Sequence, residues 1–314
     1  MENNTNSEAL RNKFSGKELF DRHIEYIPTL LDPIFPKKGI ILLAGSSDTG
    51  KSSFLRDFSI AIAEGRNKYL DYDLNATNNR VIYYSTEDDE DSVAHLLYKQ
   101  RESIEDESKL QNISYIFHQN DPIKELEDEL KEHPADCIII DSLGDILQGN
   151  INQANEVRNY LARFTVLVNT YKCLIIFLHH TNKNSEHNLP SKHNISGSHG
   201  LEARARLAIE FRKDQSRSNL RHICIVKGNY LPEEYKNESF VVNFNSDMTY
   251  TWTEERVKFS DLSSAGENND RENAMNRARI LKDEGKPYRQ IAEIITEEGY
   301  QVSRSTISNW LSNR

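Results

Sequence analysis

Gly45-Ser46-Ser47-Asp48-Thr49-Gly50-Lys51-Ser52-Ser53 is the stretch from which the fold of this chain is read. Ahead of it runs Gly39-Ile40-Ile41-Leu42-Leu43-Ala44, short and continuously apolar, as a strand buried on both faces is. Behind it, Phe54, Leu55, Phe58, Ile60, Ala61 and Ile62 recur at helical spacing. A strand and a helix joined by GxxxxGK[ST] form a phosphate-binding loop, the P-loop. Its glycines let the backbone turn N–H groups inward around phosphate oxygens, at the positive end of the following helix. Gly45 to Ser53 are therefore expected to cradle a nucleotide, with Lys51 reaching the β- and γ-phosphates and the Ser52 hydroxyl on Mg²⁺.

Further strands reach polar residues in the same way. Val81-Ile82-Tyr83-Tyr84-Ser85 leads into Thr86-Glu87-Asp88-Asp89, and Cys137-Ile138-Ile139-Ile140 closes on Asp141. Leu174-Ile175-Ile176-Phe177-Leu178 is followed by His179-His180-Thr181, and residues 113–117 make one more strand. Helices are expected over 92–98, 122–132 and 153–170, so the alternation predicts a parallel sheet covered on both faces. Past Gly200, residues 207–211, 222–226, 240–244 and 249–252 read as strands without helices between them, an antiparallel extension of one side. The proline-punctuated stretch 25–36 reads as a lid or clasp beside the nucleotide.

Asp141 ends its strand where a carboxylate is needed to hold the Mg²⁺ shell, through water or Ser52. Glu87 should project near the γ-phosphate, where a base orients the attacking water. The competing reading makes Glu87 a solvated member of the acidic run 87–91, with Asp88 as the base if the register shifts by one. His179 and His180 can hydrogen-bond a γ-phosphate and report its loss, or one of them is structural. A metal site from this pair with His187, His193 and His199 is the weaker alternative, because their spacing is irregular.

Composition bounds these readings. The 314 residues leave room for one large core and a small appendage, and 37% apolar with 28% charged residues suits a hydrophilic surface. No apolar run approaches a membrane span and the first residues are polar, so a cytoplasmic protein without membrane contact is expected. Cys137, Cys173 and Cys224 lie in or beside apolar runs and form no CxxC pair, as for core thiols in a reducing compartment. A net charge of −10 argues against a protein that coats nucleic acid everywhere, so any DNA contact must be local.

Taken in order, Gly45 to Ser53, Tyr84-Ser85-Thr86-Glu87-Asp88, Ile138 to Asp141, Phe177-Leu178-His179-His180-Thr181 and Lys227-Gly228-Asn229-Tyr230 resemble the RecA-like ATPases, and among them the RepA-type hexameric plasmid helicases. The resemblance spans about residues 25–245. It implies a RecA-like α/β core and ATP·Mg²⁺ bound by Lys51 and Ser52. It also implies Glu87 as catalytic base, Asp141 on the metal, and the histidine pair as γ-phosphate sensor, with His180 in the better register. Such enzymes close their sites between subunits of a ring, a hexamer, and receive an arginine in trans. The stretch 197–206 looks like the finger-bearing one, which makes Arg206 the candidate and Arg204 and Arg212 the alternatives. Lys227 matches a second trans cation. One departure is that His95 is followed by Leu96, where these helicases tend to carry a basic residue.

The chain divides into an arm (1–24), the ATPase core (25–255), a Ser-, Gly- and Asn-rich linker (256–272) and a small all-α domain (273–314). That last part resembles resolvase- and transposase-type helix-turn-helix modules, with a turn at 299–302 and Ser303 capping a third helix. Arg304, Ser305, Ser308 and Asn309 would face duplex DNA, while a protein-docking bundle is the alternative. In a ring, the loops 145–155 and 181–200 would face the channel, and the second brings Lys183 and Lys192 toward a single strand. The expected activity is that of an ATP-hydrolysing homo-oligomer, motor or clamp, acting on DNA. An ATP-controlled regulator or a loader without unwinding is the rival.

Overall fold

In chain order a short helix α1 (Gly16–Phe20) precedes a hairpin, β1 (Thr29–Leu31) and β2 (Phe35–Pro36). Then come β3 (Gly39–Gly45), α2 (Lys51–Ala63), a second small hairpin of β4 (Lys68–Tyr69) and β5 (Tyr72–Asp73), β6 (Val81–Ser85) and α3 (Glu90–Lys99). β7 (Ile113–Phe117), α4 (Pro122–Glu132), β8 (Cys137–Asp141), α5 (Leu143–Ile146), α6 (Ala154–Tyr171) and β9 (Leu174–His180) continue the alternation. After α7 (Ser198–Arg204) the strands β10 (Leu207–Lys213), β11 (Leu220–Gly228), β12 (Glu238–Phe244) and β13 (Tyr250–Lys258) follow. The last helices are α8 (Ser264–Asp283), α9 (Tyr288–Glu297) and α10 (Arg304–Ser312). This computed structural model describes residues 13–117, 121–147, 153–181, 185–195, 198–298 and 302–312.

Nine strands form one sheet in the order β13-β12-β11-β10-β3-β9-β8-β6-β7. Every pair from β7 to β10 is parallel, whereas β10–β11 and β11–β12 are antiparallel. The strand pattern alone puts the start of the antiparallel part at residue 207. In the structure α7 serves as a helical crossover, so β10 still runs with β3 and the reversal comes one strand later.

Alternation along the strands fills two cores. Ile41, Leu43, Tyr83, Ile139 and Ile176 face α2 and the N-terminal hairpin, while Ile40, Leu42, Ile82, Ile138, Ile140 and Phe177 face α4 and α6. With both faces covered, β3, β6 and β8 are buried at every position, which is why their sequences are apolar up to Ser85 and Asp141 at the ends of β6 and β8. On α6, Val157, Leu161, Phe164 and Val168 make the buried stripe. Leu30, Leu31 and Phe35 are core residues, so within the stretch 25–36, expected as a lid or clasp, residues 29–36 form a hairpin anchored in the core and residues 25–28 are exposed.

Contacts divide the chain into Met1–Lys183 with Ser191–Val257, and Asn184–Pro190 with Lys258–Arg314. Residues 256–272, expected as a linker, carry the end of β13, a 3₁₀ turn and the first turns of α8. In the second unit Ala274, Ala278 and Leu281 of α8 meet Ile291, Ala292 and Ile295 of α9 and Ile307 of α10. Among the described residues no helix is long and apolar enough to cross a membrane.

One buried carboxyl ties α2 to β13. Asp57 accepts from Tyr250 N at 3.1 Å and from the Tyr69 hydroxyl at 3.0 Å. Burial pushes it up to about 6, with Asp247 adding to the rise and the two hydrogen bonds and Arg66 opposing it. The folded chain therefore binds this proton more tightly than the unfolded chain. Its contribution to stability is whole below the ordinary carboxyl pKa and is lost as pH rises through about 6. Asp57→Asn should flatten that decline, shrinking the difference in unfolding free energy between about pH 4 and pH 7.5 by up to about 3 kcal/mol, as urea titrations at the two pH values would measure.

Candidate functional site

The P-loop joins β3 to α2 at the carboxyl edge of the parallel strands. Gly50 takes the left-handed region at φ 94°, and a Cβ there would lie 2.3 Å from the Tyr250 hydroxyl. Thr49 Oγ1 donates to Ser46 O at 3.0 Å. Lys51 is buried, and its Nζ donates to Gly45 O at 3.1 Å and Ser46 O at 2.8 Å. The loop thus wraps an ammonium held on its own carbonyls. Register brings the other candidates to the same edge: Gly45 pairs with His180, and Ser85 with Asp141.

These elements enclose a cavity of about 370 Å³ lined by Ser47, Asp48, Gly50, Lys51, Ser52 and Ser53 from the loop. Glu87, Asp88, Asp141, Ser142, Leu178, His179 and His180 complete one side, and Phe244 and Met248 close another. Of the expected loop contacts, Gly45, Ser46 and Thr49 are not part of this lining.

Asp141 is buried beside Ser52 and accepts from the Tyr83 hydroxyl at 2.9 Å. Burial raises its pKa and the nearby Glu87 adds to the rise, against the hydrogen bonds from Ser52 and Tyr83 and the charge of Arg56. A buried carboxyl next to a hydroxyl, open to a polar cavity, is an oxygen donor set of the kind Mg²⁺ takes. A cation placed there would favour the ionised acid. Among the described residues no group of three or more His, Cys, Asp or Glu is arranged around a metal, so phosphate oxygens and water would complete such a shell.

Glu87 and His180 face each other across the cavity mouth, Oε1 to Nε2 at 3.4 Å, both half-exposed. His179, its neighbour on β9, is buried. The acidic run is differentiated by its surroundings. Asp89 caps α3, accepting from Ser92 N at 2.8 Å, and Asp88 lies 3.9 Å from the buried guanidinium of Arg56. Glu87 is the member of the run that meets His180.

Arg206 and Lys227 stand elsewhere. Arg206 N donates to Ile40 O at the start of β3, and Lys227 pairs with Ala208 at the start of β10. The P-loop leaves the far end of β3, a strand length of roughly 20 Å away. Lys227 Nζ donates to Glu202 O at 2.6 Å, and burial lowers its pKa. Arg212 is buried in an ion pair with Glu210 at 2.6 Å, which removes it as a finger alternative. Lys192 is paired with Glu202 at 2.7 Å, and Lys183 lies outside the described residues.

On α10, Arg304, Ser305 and Asn309 are exposed and Ser308 is half-buried, while Ile307 is core. Ser303 Oγ accepts from Thr306 N at 3.1 Å, the N-cap that its sequence position suggests. The turn expected at 299–302 falls mostly outside the described residues.

Sequence reasoning missed Phe244, Met248, Tyr83, Arg56 and Ser142. Arg56-Asp57 inside an otherwise apolar helix was a usable signal, since such a charge pair facing a core needs partners. Phe244 and Met248 carried none. If Asp141 holds the metal shell, Asp141→Asn should raise the Mg²⁺ concentration for half-maximal nucleotide binding by about 10–100-fold. Metal-free nucleotide binding should stay within about twofold of wild type, as a fluorescent-nucleotide titration with and without Mg²⁺ would measure.

With this geometry in view, comparison with known proteins is informative at the level of family and fold. No curated protein matches the chain by sequence. Among solved structures, one described as an ATPase domain superposes with a TM-score of 0.57 at 13% identity, covering 76% of this chain and 96% of that one. At that identity the likeness speaks for the fold, a RecA-like ATPase core, and for nothing finer. The profile described as AAA domain matches residues 7–186, from the N-terminal arm through the P-loop, Glu87, Asp141 and the histidine pair. Because that match takes in more than half of its residues, the chain belongs to the AAA domain family, a family of P-loop ATPases.

Proposed function

We propose that this chain is an ATP-hydrolysing, ring-forming motor or clamp on DNA, of the RepA-like helicase type, in mobile-element or plasmid replication. The observation that carries the reading is the meeting of Lys51, Ser52, Asp141, Glu87 and His180 around one cavity at one sheet edge. Lys51 would leave the carbonyls of Gly45 and Ser46 for the β- and γ-phosphates, while Ser52 and Asp141 hold Mg²⁺. That ion, when bound, neutralises charge developing on phosphate oxygens. Glu87 takes the proton of the water that attacks the γ-phosphorus, and His180 beside it holds the carboxylate toward the phosphate.

The remote placement of Arg206 and Lys227 supports a head-to-tail assembly in which each subunit completes its neighbour's site. Residues 25–255 would be the motor core, and residues 273–314 would hold duplex DNA through Arg304, Ser305, Ser308 and Asn309. A second reading, an ATP-controlled regulator or loader without strand separation, is favoured by Lys192, whose ammonium is committed to Glu202 instead of being offered to a strand. Unwinding of a forked duplex by the full chain with ATP separates the two.

Glu87→Gln should keep ATP binding and lower turnover by at least about a hundredfold, the scale of general-base loss. Arg206→Ala should bind ATP and not hydrolyse it, and mixing it with Lys51→Ala subunits should restore part of the activity. No rescue at any mixing ratio would remove Arg206 from a trans role. For the C-terminal unit, Arg304→Ala should cost about 1–3 kcal/mol on a preferred duplex and less on random duplex, and selection from a random library followed by binding titrations checks it. A library that enriches nothing would favour protein docking.

A further inference from the structure

The strands beyond β10 reach the P-loop from outside. Arg221 on β11, 4% exposed, donates through Nε to Thr49 O at 2.7 Å. Tyr250, the first residue of β13, donates its hydroxyl to Gly50 O at 2.8 Å. That carbonyl also accepts from Phe54 N at 2.9 Å, the opening bond of α2. Both donors are themselves held. The Arg221 guanidinium lies 4.9 Å over the Phe244 ring, Phe244 stacks on Tyr250 at 5.0 Å and 27°, and Tyr250 N is bonded to Asp57.

A trans peptide unit is planar, so its C=O and N–H point in opposite directions. The Thr49 carbonyl shares its plane with Gly50 N–H, and the Gly50 carbonyl shares its plane with Lys51 N–H. Both units are trans. Holding the two carbonyls toward β11 and β13 therefore aims the two N–H groups the other way, into the turn that receives phosphate. Gly50 sits in the left-handed region, where a glycine backbone can rotate at little steric cost; the α2 bond from Phe54 N holds its carbonyl from within, and Tyr250 and Arg221 add the fixing from outside. We propose that Arg221 and Tyr250 are positioning residues for phosphate binding, presetting the Gly50 and Lys51 N–H donors of the P-loop. The proposal rests on reading this cavity as the ATP site, and its substrate contact is the triphosphate.

The test uses the full-length chain as wild type, Tyr250→Phe, Arg221→Lys and Lys51→Ala. Affinity for ATP with Mg²⁺, KM, kcat and melting temperature are measured, the first three well below any melting transition. Tyr250→Phe removes one oxygen and should weaken Kd and raise KM about three- to tenfold, with a smaller change in kcat. Arg221→Lys loses the planar guanidinium stacked on Phe244 and should shift Kd and KM in the same direction by at least as much. A merely structural role would lower the melting temperature and leave Kd unchanged, and that result overturns the proposal. So does a fall in kcat at unchanged KM. If Arg221→Lys does not fold, Tyr250→Phe decides alone. A wild type that binds ATP no better than Lys51→Ala would overturn the reading of the site and the proposal with it. An active wild type with an unaltered Tyr250→Phe would overturn the proposal only.

Discussion

β3 is hydrogen-bonded in parallel on both sides, to β9 from Gly39–Leu174 to Gly45–His180 and to β10 from Leu207–Ile41 to Glu210–Ala44. That double pairing leaves the strand no freedom of register. Its last residue, Gly45, is therefore delivered to one level, and the histidine pair on β9 arrives beside it. β8 carries the same register onward to β6, so Asp141 and Ser85 end together and Glu87 follows two residues later. Each polar group owes its place to hydrogen bonds made within apolar runs. A slip of one residue in any of them would carry each buried side chain into the opposite core and the polar ends away from the loop.

Charge is handled differently at the two ends of the strands. At the carboxyl edge the acids are graded by burial: Asp141 is enclosed and Asp88 faces Arg56, whereas Glu87 stays half-exposed against His180. At the opposite edge the exposed cation Arg206 and the half-buried Lys227 stand by the strand starts.

The C-terminal unit lives by smaller means. Its core is a few alanines and isoleucines with one leucine, wrapped by the half-buried Tyr288, Val302, Trp310 and Leu311. Surface pairs such as Arg277–Glu298 at 2.8 Å add little where both partners are exposed. Its stability therefore depends on three helices packing together.

How much was legible in advance follows from how local each signal was. The P-loop, the apolar runs of β3, β6, β8 and β9, the stripe on α6 and the Ser303 cap are written in neighbouring residues, through backbone freedom at glycine, two-sided burial and helical period. From these alone the chain declared an α/β sheet with a phosphate loop, and Asp141 and Glu87 at strand ends. The direction of β10, the burial of Arg212, the pairing of Lys192 and the hairpin fate of residues 29–36 depended on which surfaces met. No local pattern encodes that. Arg221 and Tyr250 lie 172 and 200 residues from the loop carbonyls they hold, and neither belongs to a motif. Only the closing of the antiparallel strands against α2 brings those donors to Thr49 and Gly50, because a hydrogen bond depends on position in space and not on separation along the chain.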